Sequence, residues 1–189
     1  MDIRDYQKLA MRTSPEGHDR VLNGCLGLIG EGGEVVDVIK KWLFQSEEDA
    51  PMPVEKLVDE CGDVLWYCAE LAEGLGADVA ELYERQGPLY SEAMVRLQAD
   101  NAATPMVMAV HLASACMRPY AELYMVNAGE AWKRDAAGKE IAGIMVMVRT
   151  ILEKHCASSL EDAMQKNIAK LKERYPDGFD PERSMHRTR

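Results

Sequence analysis

The sequence is short of positive charge: 22 lysines and arginines stand against 32 aspartates and glutamates among 189 residues, a formal net charge of −10. A chain so balanced has no basic stripe for a nucleic-acid backbone, which excludes nucleic-acid binding as its main business. Long apolar runs are missing too. The longest, Met106 to Met117, carries His111 and is too short to span a bilayer, so no membrane partner is expected. The first residues, Met1-Asp-Ile-Arg-Asp-Tyr6, lack a basic region followed by an apolar one, and nothing in them points to secretion. The five cysteines, Cys25, Cys61, Cys68, Cys116 and Cys156, are odd in number, form no CxxC pair and sit in apolar helix-like surroundings. Reduced core thiols in a cytoplasmic protein are expected, rather than disulfides or zinc ligands. A chain of this length can bury a substantial core without such staples.

Absent as well is any run of alternating apolar and polar residues long enough to build a sheet, so the fold class is read as all-α. Helices are expected over about 2–12, 21–44 and 54–75, the first ended by Thr13-Ser-Pro-Glu-Gly17 and the last two joined by the acidic, proline-closed loop 45–53. Further helices are expected over 88–99, 105–126 and 139–155, separated by Asn101-Ala-Ala-Thr104 and Gly129. The last helix, 159–174, opens on Ser159-Leu-Glu-Asp162, which has the spacing of a capping box with Asp in place of Glu or Gln. An irregular tail over 177–189 follows. This divides the chain into a helical hairpin (1–77), a helical insertion (78–157) and a closing helix with its tail (158–189), all in one structural domain.

A shift of 80 positions lays Glu60–Glu81 on Glu140–Glu161, matching Glu60 with Glu140, Ala77 with Ala157 and Glu81 with Glu161, while Asp63 falls on Gly143. A decayed duplication in which the second copy lost its ligands would leave this pattern. Two amphipathic helices also resemble each other without common origin, and both readings stand at this point.

The chemistry is carried by Glu31-Gly-Gly-Glu34 and Glu60-Cys-Gly-Asp63. Carboxylates three residues apart share a helix face, so each pair can grip one cation. From the helical rise, Glu34 lies roughly 15 Å before the turn that joins the two helices, and Glu60 and Asp63 lie roughly 9 to 14 Å beyond it. An antiparallel hairpin therefore brings all four acids to one height. Four converging carboxylates repel one another unless a cation compensates them. All-oxygen ligation suits Mg²⁺, or Mn²⁺ as a substitute. The di-iron bundles are excluded, because they need Glu-x-x-His units and none of His18, His111, His155 and His186 follows a glutamate by three. GEGGE lacks the spacing of a phosphate-binding glycine loop. ExxE-like spacing alone is common here, as in Glu70/Glu73 and Asp78/Glu81. What singles out the chosen pairs is their apolar setting with glycines at 30, 32, 33 and 62, which points to close helix approach or to space cleared for a ligand.

A metal-bridged anion also needs cations. Lys41 lies two turns beyond Glu34, and Asn167, Lys170 and Arg174 form one stripe of the last helix. Trp42, Trp66 and Tyr67 read mainly as core packing, the methionines from Met94 to Met147 as adaptable filling. His18 and Asn23 read either as contacts to a base or sugar or as loop caps.

Together these residues resemble the MazG-like family of all-α nucleotide pyrophosphohydrolases. The likeness rests on Glu31-Gly-Gly-Glu34 with Glu60-Cys-Gly-Asp63, on the flanking Gly27-Leu-Ile-Gly30, Lys40-Lys41 and Val64-Leu-Trp-Tyr67, and on Asn167-Ile-Ala-Lys-Leu171 with Arg174-Tyr-Pro176. It covers about residues 6–76 and 158–187 and leaves out 78–157. The resemblance implies an antiparallel helical bundle that is homo-oligomeric, with a dimer favoured. It also implies Mg²⁺-dependent hydrolysis of nucleoside triphosphates to monophosphate and pyrophosphate. Glu31, Glu34, Glu60 and Asp63 would hold the metal, Glu31 or Glu34 would serve as general base, and Lys41, Asn167, Lys170 and Arg174 would face the phosphates. The related dimeric dUTPases use similar acid motifs and duplicated helical units, which leaves a dUTP-specific enzyme as one alternative and a non-catalytic metal- or nucleotide-binding scaffold as another.

Overall fold

Acidic and hydroxyl side chains set where the helices begin. In the computed structural model, which describes residues 1–99 and 104–185, Asp2 accepts the Arg4 amide and starts α1 (Ile3–Met11), and Asp19 accepts the Leu22 amide and starts α2 (Arg20–Gln45). Pro53 precedes α3 (Val54–Gly74), which ends where Gly76 takes a left-handed φ of 68°. These three elements match expectation. The bounds of α8 (Leu160–Arg174) match too, and the Ser159–Asp162 capping box forms reciprocally, with the Asp162 amide donating to Ser159 and the Ser159 amide to Asp162.

The middle section differs. Helix α4 (Val79–Ala99) starts nine residues before the expected Pro88, because Asp78 accepts the amides of Ala80 and Glu81 and caps the chain there. Pro88 sits inside the helix, its lost hydrogen bond offset by the burial of Val79, Ala80 and Leu82. The single helix expected over 105–126 divides into α5 (Pro105–Cys116), a one-turn α6 (Arg118–Tyr120) and a π-helical turn (Ala121–Met125), the break falling where Pro119 brings no amide. Helix α7 (Glu130–His155) begins directly after Gly129, nine residues before expectation. The tail is not wholly irregular: Asp180 accepts the amides of Glu182 and Arg183 and starts α9 (Pro181–Met185). Asn101 to Ala103 of the expected spacer, and the end of the tail with His186, lie outside the described residues.

All regular structure among the described residues is helical, so the fold is all-α. Helices α2 and α3 form the antiparallel hairpin, with α8 and α1 against α3, α5 against α2, and α7 against α3, α4 and α5. Their buried faces form one continuous core. The hairpin seam is tight: a Cβ on Gly24 would lie 2.9 Å from the Leu71 backbone, and one on Gly27 would lie 2.0 Å from the Tyr67 ring. Gly32 is likewise in close contact, with α5, whereas Gly30 and Gly33 face open space. The five cysteines are free and buried. No helix among the described residues is long and apolar enough to cross a membrane.

The 80-residue shift that aligned the sequence also lays α3 on α7 and α4 on α8. Packing follows it. Helix α3 packs on α8 as α7 packs on α4, and α2 packs on α3 as α5 packs on α7. At the position matching Asp63, Gly143 has the Tyr90 ring 2.8 Å from where its Cβ would stand; Tyr90 in turn matches Lys170, the partner of Asp63. Glu140, matching Glu60, pairs with Arg118 at 3.5 Å.

Candidate metal centre and adjoining cleft

The level crossing of α2 and α3 brings three of the four expected ligands together. One carboxylate oxygen from each of Glu31, Glu60 and Asp63 lies within 4.8 Å of the other two. That spread is slightly wider than the about 4.2 Å between oxygens on opposite sides of Mg²⁺, twice its ion–oxygen distance. Small side-chain movements would close it. Glu34 stands one turn further along α2, exposed and outside the triad, though its charge reaches Glu31 and Lys56.

The cluster is only partly compensated by protein cations. Burial, followed by the charges of Asp63, Glu60 and Glu34, pushes the Glu31 carboxyl up to about 7, and Lys170 offsets only part of this. Asp63 is also raised, because burial outweighs the lowering by Lys170. The donor set is all oxygen, negative and partly shielded from water, which fits a hard divalent cation.

Helix α8 supplies the cations. Lys170 Nζ lies 2.7 Å from both Asp63 oxygens, and Asn167 Nδ2 donates to Asp63 Oδ1 at 2.9 Å. Asn167 can come this close because Gly62 on α3 has no side chain; a Cβ there would sit 3.1 Å from Asn167 Cβ. The buried Tyr6 hydroxyl donates to Asn167 Oδ1 at 3.0 Å and locks that amide with its nitrogen toward Asp63. Arg174 acts on Asp63 through its charge and lines the adjoining cleft. Lys41 is not brought to the cluster: with Lys40 it pairs with Asp37 on the exposed side of α2. Lys56, not among the expected cations, donates to Glu60 at 2.9 Å; its i, i+4 spacing to Glu60 is the signal the sequence offers for it. Tyr6 had no local signal, since its partner is 161 positions away.

Beside the acids opens a cleft of about 220 Å³. Glu31 and Asp63 line it together with Trp66 and Tyr67 from α3 and Tyr175 and Phe179 after α8, and Asn23, also lining it, lies two turns of α2 away from Glu31. Trp66 is held by its indole N–H, which donates to Thr13 Oγ1 at 3.0 Å, and it stands edge-on to Tyr67 with centroids 4.8 Å apart. Both rings pack against the core, as expected, and also face the cleft. Trp42 is elsewhere, donating to the Ala50 carbonyl and closing the α2–α3 loop. His18 meets the buried Glu70 carboxylate.

No family model matches the chain, and no solved structure matches it. Among curated proteins it is similar to the Gene 37 protein of Mycobacterium phage L5, 36% identical over 63 residues, which are 32% of this chain and 54% of that protein. The chain thus aligns with about half the length of the relative it matches.

Proposed function

We propose that the chain is a divalent-cation-dependent nucleoside triphosphate pyrophosphohydrolase of MazG-like type. The observation that carries this reading is the meeting of the Glu31/Glu60/Asp63 triad with Asn167 and Lys170 from a helix more than a hundred residues away. Acids alone would serve a structural ion. Acids joined to an amide and a lysine beside an aromatic cleft suit a ligand that is anionic at one end and planar at the other.

Glu31, Glu60 and Asp63 would hold Mg²⁺, or Mn²⁺ in its place, and the ion would supply charge neutralisation and make a nearby water more acidic. Glu34, left outside the triad one turn away, takes the proton of the attacking water. The water oxygen bonds to the α-phosphorus as the bond from that phosphorus to the bridging oxygen breaks, giving a nucleoside monophosphate and pyrophosphate. Lys170 and Arg174 balance the charge that develops on the leaving pyrophosphate, and Asn167 orients Asp63.

A pyrophosphate-release screen across ribo- and deoxynucleoside triphosphates, with Mg²⁺, Mn²⁺ or chelator, tests the reading. Metal-dependent release is expected. The exchange of α3/α8 for α7/α4 packing favours a second reading, the dUTP-specific branch with its duplicated helical units, and turnover confined to dUTP would select it. Absence of turnover with every nucleotide would leave the scaffold.

A further inference from the structure

Two turns along α3 from Asp63, the Glu70 side chain is completely buried. One of its oxygens accepts from His18 Nε2 at 2.5 Å and from Asn23 Nδ2 at 3.4 Å. The other oxygen, and Nδ1 of His18, have no partner among the described residues. A buried carboxylate left half-satisfied needs a reason beyond packing. Asn23 provides the link to the cleft, which it lines. A carboxylate oxygen only accepts, so the Asn23 amide must turn its nitrogen toward Glu70, leaving its Oδ1 and its second N–H for whatever enters the cleft.

The matching half of the molecule acts as an internal control. Under the 80-residue shift Trp66 corresponds to Val146, Tyr67 to Met147 and Glu70 to Thr150, whose hydroxyl is satisfied by the Val146 carbonyl of its own helix. Both halves pack alike. At these three positions the other half has two aliphatic side chains and a self-satisfied hydroxyl, so the shared packing does not by itself require Trp66, Tyr67 or a buried carboxylate at 70.

Resting on the pyrophosphohydrolase reading, we propose that Asn23 reads the edge of the nucleobase, its amide held in one orientation by the Glu70–His18 pair, with the base lying among Trp66, Tyr67, Tyr175 and Phe179. Every base edge pairs a donor with an acceptor, and an amide of fixed orientation accepts one order of the two and rejects the other. Glu70 and His18 are positioning residues.

The test compares kcat/KM for the triphosphates of the four bases, each divided by the value for base-free deoxyribose 5′-triphosphate, in the unaltered protein, Asn23→Ala and Glu70→Gln, with melting temperature as the control for folding. The unaltered protein should separate its best and worst bases by roughly tenfold to a hundredfold. Asn23→Ala should shrink that spread to within a few-fold, mainly through KM, and Glu70→Gln should shrink it in the same direction. An unchanged order and spread of bases in Asn23→Ala overturns the proposal. Failure of the parent reading shows differently, as no turnover of any triphosphate by the unaltered protein. Calorimetric titration with the four nucleoside monophosphates in the absence of metal then decides. Base-dependent binding abolished by Asn23→Ala upholds the pocket, and base-independent or absent binding overturns it.

Discussion

Glu31 is a site carboxyl whose titration the fold moves strongly. Its folded carboxyl titrates near 7 while the unfolded chain releases that proton near 4.5. Between these values the folded state holds a proton that the unfolded state has lost, so stability present below pH 4.5 is lost as pH rises through 7. Metal-free protein should accordingly show a falling melting temperature across this window, and Glu31→Gln should flatten the fall. Added Mg²⁺ should restore stability above pH 7 in the unaltered protein only, since the ion replaces the proton. Thermal melts in chelator and in Mg²⁺ from pH 4.5 to 8 check all three statements. Glu60 makes a second case. Its side chain is only 12% exposed, but glutamine has nearly the same shape and the Lys56 it pairs with is 57% exposed and keeps its water, so Glu60→Gln costs little packing. Turnover should nevertheless fall roughly a hundredfold or more, with the melting temperature in chelator near that of the unaltered protein; steady-state kinetics at saturating Mg²⁺ with near-normal rates would remove Glu60 from the site.

At the scale of elements, the α2–α3 seam places the site, and its glycines set how close the two helices come. Gly24→Ala gains up to about 1 kcal/mol of helix propensity. The new methyl, however, meets the Leu71 backbone at 2.9 Å, and a backbone can yield only if the helices part. An overpacking cost toward the upper end of about 1 to 3 kcal/mol should exceed that gain by about 1 to 2 kcal/mol, lowering the melting temperature by roughly 2 to 8 °C for a chain of this size and weakening metal binding by spreading Glu31 from Asp63. Calorimetry and a Mn²⁺ titration read the two effects. The same seam explains what was legible in the sequence. Acid spacing, the hairpin register and the Ser159 cap are local properties, and each survives folding. Lys41 stands away from the cluster because Asp37, one turn back, pairs with it, a competition the spacing to Glu34 does not reveal. Tyr6, Tyr175 and Phe179 were missed because they reach the site from opposite ends of the chain, and no periodicity records such a meeting. Pro88 read as a helix start, whereas Asp78 had already started that helix.

The whole molecule behaves as two matched halves of unequal chemistry. The resemblance implied a homo-oligomer, with a dimer favoured, because small hairpins of this kind complete their bundle with another copy. Here α5 packs on α2 and α7 on α3 within one chain, and we propose that this internal pair takes the place of a second copy's hairpin. Among the described residues the second half carries no equivalent of the triad. Gly143 and Tyr90 fill the place of Asp63 and Lys170, His111 and Ser114 stand where Glu31 and Glu34 stand, and Glu140 is neutralised by Arg118. On the proposed reading, cation ligation would therefore fall on the α2–α3 hairpin alone. A Mn²⁺ titration should find the site once per chain, sensitive to Glu60→Gln and insensitive to Glu140→Gln. Specific activity should also stay constant on dilution to nanomolar protein, since the hairpin that completes the bundle cannot dissociate. If activity instead collapses on dilution while sedimentation shows a dimer giving way to monomer, a second copy contributes to the site, and the internal half serves to hold that copy rather than to replace it.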